Sequence, residues 1–523
     1  MMIAGLFSGA VCAAPPSPES VMHTSPGFYP HGIASDGTDL WITDYDNITL
    51  SRIDPADGSV LDTVPLSIGE NRSPRGVAWD GQYMWVASSS RLFKVDPLTG
   101  ESLLNWSGLD GSQQGVTFDG TNLWVVSRSA GNISCVDPAT GTVLQQIPSP
   151  ASSPRGIEYR NGKLWHADSY QDRVYEIEPT SGDVVRSFLV SRGGPRGIAW
   201  HDDRFWLIDK DAEEIVGFPI DEESPDILTT AYISRGTVTC SCDNPNPTPY
   251  ANTHVYTALG QSDDATDLLS RRFFVNDVEC TPTGLSTDEY GQVIADIELG
   301  NVAPGESINV EIEYAVLLHN WTVNVDSNEV DSLLSVDPDL LDLYTRDEDM
   351  YNITDPDIIA HAAAAVGTET NVFIMARRIH NYVIEQLDYD RNSTWKEGKT
   401  VLQEGEASCS GYTFTMIALC RVNGIAARFA GGSECRSFET GRTDTLHHRW
   451  VEVYVPGYGW VPFDPTHDEW DPDDPDVRWR EVGAQQRGIV LRRGGGTNDM
   501  GWGYTSYVRH DAASSMPTAP WNG

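Results

Sequence analysis

The chain has 523 residues, with 35 Lys+Arg against 76 Asp+Glu, and a formal charge of −41. Such an excess of negative charge argues against capture of nucleic acid or of an anionic membrane surface, since both would meet like charge. With 40% apolar residues the chain can build packed cores, and its length points to two to four domains.

The chain opens MMIAGLFSGAVCAAPPSPES, an apolar run from Met1 to Ala14 with small residues before Pro15. This reads as a secretory leader cut near Ala13 or Ala14, although no basic residue precedes the run. Residues 1–23 are assigned to it, and the expected location is secreted, periplasmic or in the cell envelope. No later stretch reaches the ~18–20 apolar residues of a membrane-crossing helix, so no membrane insertion is expected. Apart from Cys12 and Cys409, six cysteines remain (Cys135, Cys240, Cys242, Cys280, Cys420, Cys435). Sequence cannot decide whether they pair, although Cys135 sits where an outward-facing residue is expected.

Residues 24–222 repeat themselves. HGIASDGTDLW, RGVAWDGQYMW, QGVTFDGTNLW, RGIEYRNGKLW and RGIAWHDDRFW place tryptophans at 41, 85, 124, 165 and 206. Asp36-Gly37, Asp80-Gly81, Asp119-Gly120 and Asn161-Gly162 suggest type I′ hairpin turns. A second turn recurs as Asp54-Pro55…Gly58, Asp96-Pro97…Gly100, Asp137-Pro138…Gly141 and Glu178-Pro179…Gly182. Each unit thus offers about four short strands, one blade of a β-propeller with five blades, or six if flanking segments add one. The blade pattern is similar to NHL-type, glutaminyl-cyclotransferase-like and quinoprotein-like propellers. Arg75, Arg155 and Arg196, with His31 and Gln114 in equivalent slots, precede the repeat glycines. One reading has them ring the channel and hold an acidic ligand; the plainer expectation pairs them with Asp44, Asp168 and Asp209. The ligand itself is not legible.

From 226 to 325, segments such as ANTHVYTALG and SINVEIEYAVLLH alternate apolar and polar residues between turns, which suggests an immunoglobulin-like β-sandwich with a spacer or docking role. Residues 330–523 differ again. DPDIIAHAAAAVGTETNVFIMARRIHNYVIEQL has helical periodicity broken near Gly367, and Ser408-Cys409 heads another helix in which Tyr412, Met416 and Leu419 share a face and which stops at Gly424. A thiol in a first helical turn lies in the positive end of the helix dipole, which favours the thiolate. LHHRWVEVYVPGYGWVPFDPT reads as two strands joined near Gly457. A two-residue turn would put Asp464 on the wrong face; an odd loop sets it opposite Trp450 and diagonal to His448.

Three blocks, C-S-G-Y opening a helix that ends N-G-I-A-A-R, then H-x-W-V-E-V-Y, then G-W-V-P-F-D-P-T, resemble the transglutaminase-like superfamily of papain-fold cysteine enzymes across roughly 340–490. The resemblance implies an α+β papain-like core in which Cys409 is nucleophile, His448 general base and acid, and Asp464 orienter. It also implies attack on an amide or other acyl carbonyl through a thioester. Ala407-Ser408 departs from the glycines common before the family's cysteine. The Cys409 N–H is the natural first oxyanion donor; Gln403 and Trp395 are rival candidates for the second. Tyr412, Trp450 and Trp460 are candidates for the substrate cleft, although aromatics at such positions are as readily core. The acidic run Asp468-Glu469, Asp471, Asp473-Asp474, Asp476 offers a calcium site, but proline interrupts it and no EF-hand loop is present, so a solvated loop and no cofactor are expected. The leading reading is an exported peptidase or amidase acting on protein or peptide amides, with the propeller as binding module. Protein-glutamine acyl transfer, a non-catalytic envelope binding or assembly protein, and a propeller-borne cyclotransferase are the alternatives.

Overall fold

A computed structural model describes residues 6–8, 21–69, 72–190, 194–210, 213–220, 226–434, 447–470, 482–485, 488–494, 500–502 and 506–511. They fall into two compact units, 16–230 and the remainder.

The first unit is a propeller of five four-stranded antiparallel sheets. In the first blade, Pro30–Ser35, Leu40–Asp44, Thr49–Ile53 and Val60–Pro65 pair in order. The fifth blade takes three strands from 195–219 and completes itself with Val21–Thr24, which pairs with Glu214–Pro219. The propeller therefore begins at Val21, inside the span assigned to the leader. The innermost strands meet around one axis. A β-carbon on Gly76 would lie 2.6 Å from Gly115 Cα, one on Gly115 2.5 Å from Arg155 O, and one on Gly197 2.7 Å from Ile33 N. The repeat glycine is thus demanded by close approach of neighbouring backbones.

The aspartates of the D-G turns do something other than expected. Asp36, Asp80 and Asp119 sit in four-residue loops, where Oδ1 accepts backbone N–H groups and Oδ2 accepts the indole N–H of Trp41, Trp85 and Trp124 at 2.7, 2.9 and 2.8 Å. Only the fourth and fifth repeats make true two-residue turns with positive φ at both positions, Asn161-Gly162 and Asp202-Asp203. Lacking that aspartate, Trp165 and Trp206 bury indole nitrogens with no hydrogen-bond partner among the described residues. Cys135 is buried between blades rather than facing outward, and burial pushes its thiol up to about 11.

The second unit joins a β-sandwich to an α+β core. One sandwich sheet contains Asp226–Asp243, Ser307–Val323 and Thr266–Val275, edged by Leu6–Ser8. The other contains Gly284–Thr287, Val293–Val302 and Tyr250–Ala258, and its last strand is Ser506–Asp511 from the far end of the chain. The core segment is thereby an insertion between strands of the sandwich. Arg493 ties the two together, with Nη2 2.8 Å from Asp263 and Nε 2.8 Å from Glu452.

In the core, α1 (Pro338–Tyr344), α2 (Pro356–Val366), α3 (Val372–Gln386), α4 (Gly398–Glu404) and α5 (Cys409–Val422) accompany a four-stranded antiparallel sheet. The strand Ala427–Glu434 lies between His447–Val455 and Gly488–Gly494, and Gly459–Phe463 flanks His447–Val455. Asp355 and Asn371 cap α2 and α3 by accepting from Asp357 N and Ile374 N, and Gly367 at φ 62° separates the two helices. Helix α5 is not amphipathic as the sequence suggests. Every residue from Ser410 to Arg421 is buried, because helices and sheet surround it. Gly424, at φ 71°, ends it. Among the described residues, no helix is long and apolar enough to cross a membrane.

Candidate active site

Cys409 is the first residue of α5, and Ser408, in extended conformation, is its N-cap. The Ser408 hydroxyl makes no capping bond and is buried without a partner among the described residues. Thr413, one turn into the helix, donates from Oγ1 to Arg449 O at 3.0 Å and so fastens α5 to the strand that carries His448.

That strand pairs with the next in the odd register. Val451 faces Phe463 and Val455 faces Gly459, with Pro456, Gly457 and Tyr458 as a three-residue turn and positive φ at Gly457 and Gly459. One step further, Asp464 falls opposite Trp450, on the face of His448. His448 Nε2 is 2.5 Å from Asp464 Oδ2, and both residues are buried. Its side chain also hydrogen-bonds to Cys409. With Nε2 engaged by the carboxylate, the other ring nitrogen is the one left for sulfur.

Burial alone would raise the Cys409 thiol. The His448 hydrogen bond and charge, together with the Arg449 charge and backbone N–H, outweigh burial and hold it below its ordinary value. Elsewhere burial prevails: Cys242 is pushed up to about 11, and Cys420, in the same helix as Cys409, is also raised. Burial likewise opposes ionisation of Asp464, but His448 and His467 hold that carboxyl well below the usual range.

Several contributors were invisible in sequence. His467 Nδ1 lies 3.1 Å from the same Asp464 oxygen, and its ring stacks on His448 at 4.5 Å. Asp464 Oδ1 accepts backbone N–H from Thr466 and His467, which fixes the turn. Beneath it, buried His380 on α3 lies 3.0 Å from buried Asp468, and burial pushes its imidazole down to about 4. Arg449 has its guanidinium within 4.8 Å of the Trp395, Phe414 and Phe429 rings. The three groups His448, Asp464 and His467 have the donor types of a metal site, their atoms within 4.8 Å of one another. The hydrogen bonds they make to each other account for the spacing equally well.

The other sequence candidates scatter. Gln403 is exposed and lines a cavity of about 310 Å³ with Asp357, His361, Tyr382 and Lys399, whose lining includes none of Cys409, His448 and Asp464. Trp395 stands on Arg449, next to the cluster. Tyr412 is no cleft residue: it is fully buried and donates to Leu387 O at 2.7 Å. Trp460 packs on Tyr344 at 4.7 Å and under Arg428, near the opposite end of its strand from Asp464. Trp450 does border the site, with its ring stacked 6.1 Å from that of His448. The acidic run is not a solvated loop at its start. Asp468 is buried, and Glu469 accepts Tyr389 N at 2.9 Å. Asp471, Asp473, Asp474 and Asp476 lie outside the described residues, as does Cys435.

Residues 360–465 match the sequence model of the transglutaminase-like superfamily, so this segment is similar to a transglutaminase-like domain. No curated protein matches the chain. Among solved structures, a protein of Cytophaga hutchinsonii described as a candidate cysteine protease is similar at 13% identity, covering 57% of this chain and 96% of its own, with a TM-score of 0.38. Glutaminyl cyclase of Myxococcus xanthus is similar at 15% identity, covering 41% of this chain and 98% of its own, with a TM-score of 0.34. TM-scores this low carry no conclusion about activity.

Proposed function

We propose that this protein is an exported cysteine hydrolase, a peptidase or amidase that cleaves protein or peptide amides through Cys409, His448 and Asp464. The observation that carries the reading is the single line of contacts from the Asp464 carboxylate through the His448 ring to a thiol at a helix N-terminus. A sulfur held below its ordinary pKa at pH 7 is a stronger nucleophile because more of it is thiolate.

In this reaction the sulfur attacks the amide carbon, and the thiol proton resides on His448. Charge developing on the carbonyl oxygen is met by the Cys409 N–H, which, in the first turn of α5, has no acceptor within its own helix. His448 then gives its proton to the departing amine and the C–N bond breaks, leaving a thioester. Water, relieved of a proton by His448, breaks the thioester and releases the acid. Asp464 keeps the ring aimed throughout and stabilises its protonated form. His467, sharing the same carboxylate oxygen, adds a second donor that fixes where that oxygen points. The propeller would serve as the module that binds substrate or its surroundings. Among the described residues, cleavage of a leader near Ala13 or Ala14 would remove the edge strand Leu6–Ser8 of the sandwich.

Incubation with a glutaminyl peptide, with and without a fluorescent primary amine, tests the reaction. Ammonia release without matching amine incorporation is expected. Incorporation exceeding release would replace hydrolysis by acyl transfer, and absence of both with a full panel of peptides would reduce the core to a scaffold.

A further inference from the structure

Each innermost propeller strand starts where the second strand of its blade ends, as in Pro30 opposite Asp44 and Pro154 opposite Asp168. The residues before the axial glycines therefore share one face with the turns after the second strands. Those residues are His31, Arg75, Gln114, Arg155 and Arg196, and they are linked side to side. Arg196 Nη1 is 3.4 Å from His31 Nε2, and the His31 ring stacks on Tyr45 at 5.9 Å. The Arg75 guanidinium lies 5.8 Å from the same tyrosine ring and donates to Ser112 Oγ at 2.5 Å. Gln114 Nε2 donates to that hydroxyl at 3.2 Å, and Arg155 Nη1 donates to Gln114 Oε1 at 2.9 Å.

Two of the three aspartates expected to neutralise this ring, Asp44 and Asp168, accept backbone N–H groups instead. Asp44 accepts the backbone N–H groups of Tyr29, Asp46 and Asn47, and Asp168 those of Ser152, Ser153, Tyr170 and Gln171. Among the described residues, no carboxylate lies within ion-pair distance of Arg75, Arg128 or Arg155. Burial, with the charges of Arg196, Arg128 and Arg75, pushes Arg155 down to about 10. Ring closure does not require this arrangement, because histidine and glutamine fill the same slot in two blades. Guanidinium groups that are partly buried and set beside one another repel at short range, a cost that a bound anion would remove.

We propose that this end of the propeller channel binds a small, multiply charged oxyanion, a di- or tricarboxylate or a phosphate ester. Arg75 and Arg155 grip it together with Arg196, and His31, Gln114 and the Tyr29 hydroxyl complete the contacts to its remaining oxygens. Planar guanidinium forks suit both oxyanion types.

Calorimetric titration of the full chain with citrate and with pyrophosphate, at low ionic strength, tests the site. One of them is expected to bind saturably, and the better binder identifies carboxylate or phosphate as the source. Arg75→Gln/Arg155→Gln should weaken that binding at least about tenfold, while Cys409→Ala leaves it unchanged. Should the double variant not fold, Arg75→Gln alone, whose side chain is only half-buried, carries the comparison. No saturable binding of either anion at millimolar concentration, or equal affinity in the arginine variants, would overturn the proposal.

Discussion

The propeller and the transglutaminase-like core solve opposite problems. In the propeller one local instruction is written five times, so a lapse in one copy stays local: Trp165 and Trp206 lose their indole partner and their blades still close. In the core the sulfur, imidazole and carboxylate come from residues 409, 448 and 464, and each is placed once. The parity of a single three-residue turn decides whether Asp464 reaches His448. Redundancy makes a scaffold tolerant, whereas convergence makes a site that one residue can undo.

The contrast can be broken most sharply at the sulfur. Cys409→Ala should lower amide turnover by about 10³-fold or more, measured as kcat on a purified, folded protein. A glycine inserted after Gly457 should come close to that loss, about 10³-fold, because it sends Asp464 to the opposite face. The same insertion after Gly37, in a blade loop, should leave turnover within about twofold; an equal loss from both would refute the distinction. Next comes ionisation. Because the Cys409 pKa is depressed, its alkylation by iodoacetamide should persist below the ordinary thiol range and fade only as pH falls through the lowered value. His448→Ala removes the largest favourable influence and should move that inflection upward by at least about one pH unit.

Stability changes in the propeller should be smaller. Gly115→Ala places a methyl 2.5 Å from Arg155 O and should cost about 1–3 kcal/mol in thermal or denaturant unfolding. Asp119→Ala removes one turn cap and the Trp124 indole bond, for about 1 kcal/mol. An Asp119→Ala cost exceeding that of Gly115→Ala would mean that the turns, rather than the axial contact, hold the ring.

What sequence could reveal followed the same division. Tryptophan spacing and the recurring glycine announced blades because each blade is built from neighbours in the chain. The D-G turns were recognised for the wrong reason, since a dipeptide does not show that its aspartate reaches an indole five residues on. In the core, Cys409, His448 and Asp464 stood out by residue type and by the strand parity around Gly457. For Gln403, an offset along the chain does not say which side of a short helix looks toward the sulfur. Tyr412 and Trp460 failed because an aromatic near a motif is as readily buried as exposed. Arg449, His467 and His380 acquire their roles only through packing between segments, and nothing local marks them.

The clasp formed by Val21–Thr24 has a consequence for biosynthesis. It is the first propeller strand to be made, yet its partner ends at Pro219. At ribosomal speeds of ~5–20 residues per second, the roughly 190 residues between them take about 10–40 s to appear. For that interval a four-residue ribbon must stay unsatisfied and soluble, and the toroid cannot seal until the newest segment returns to the oldest.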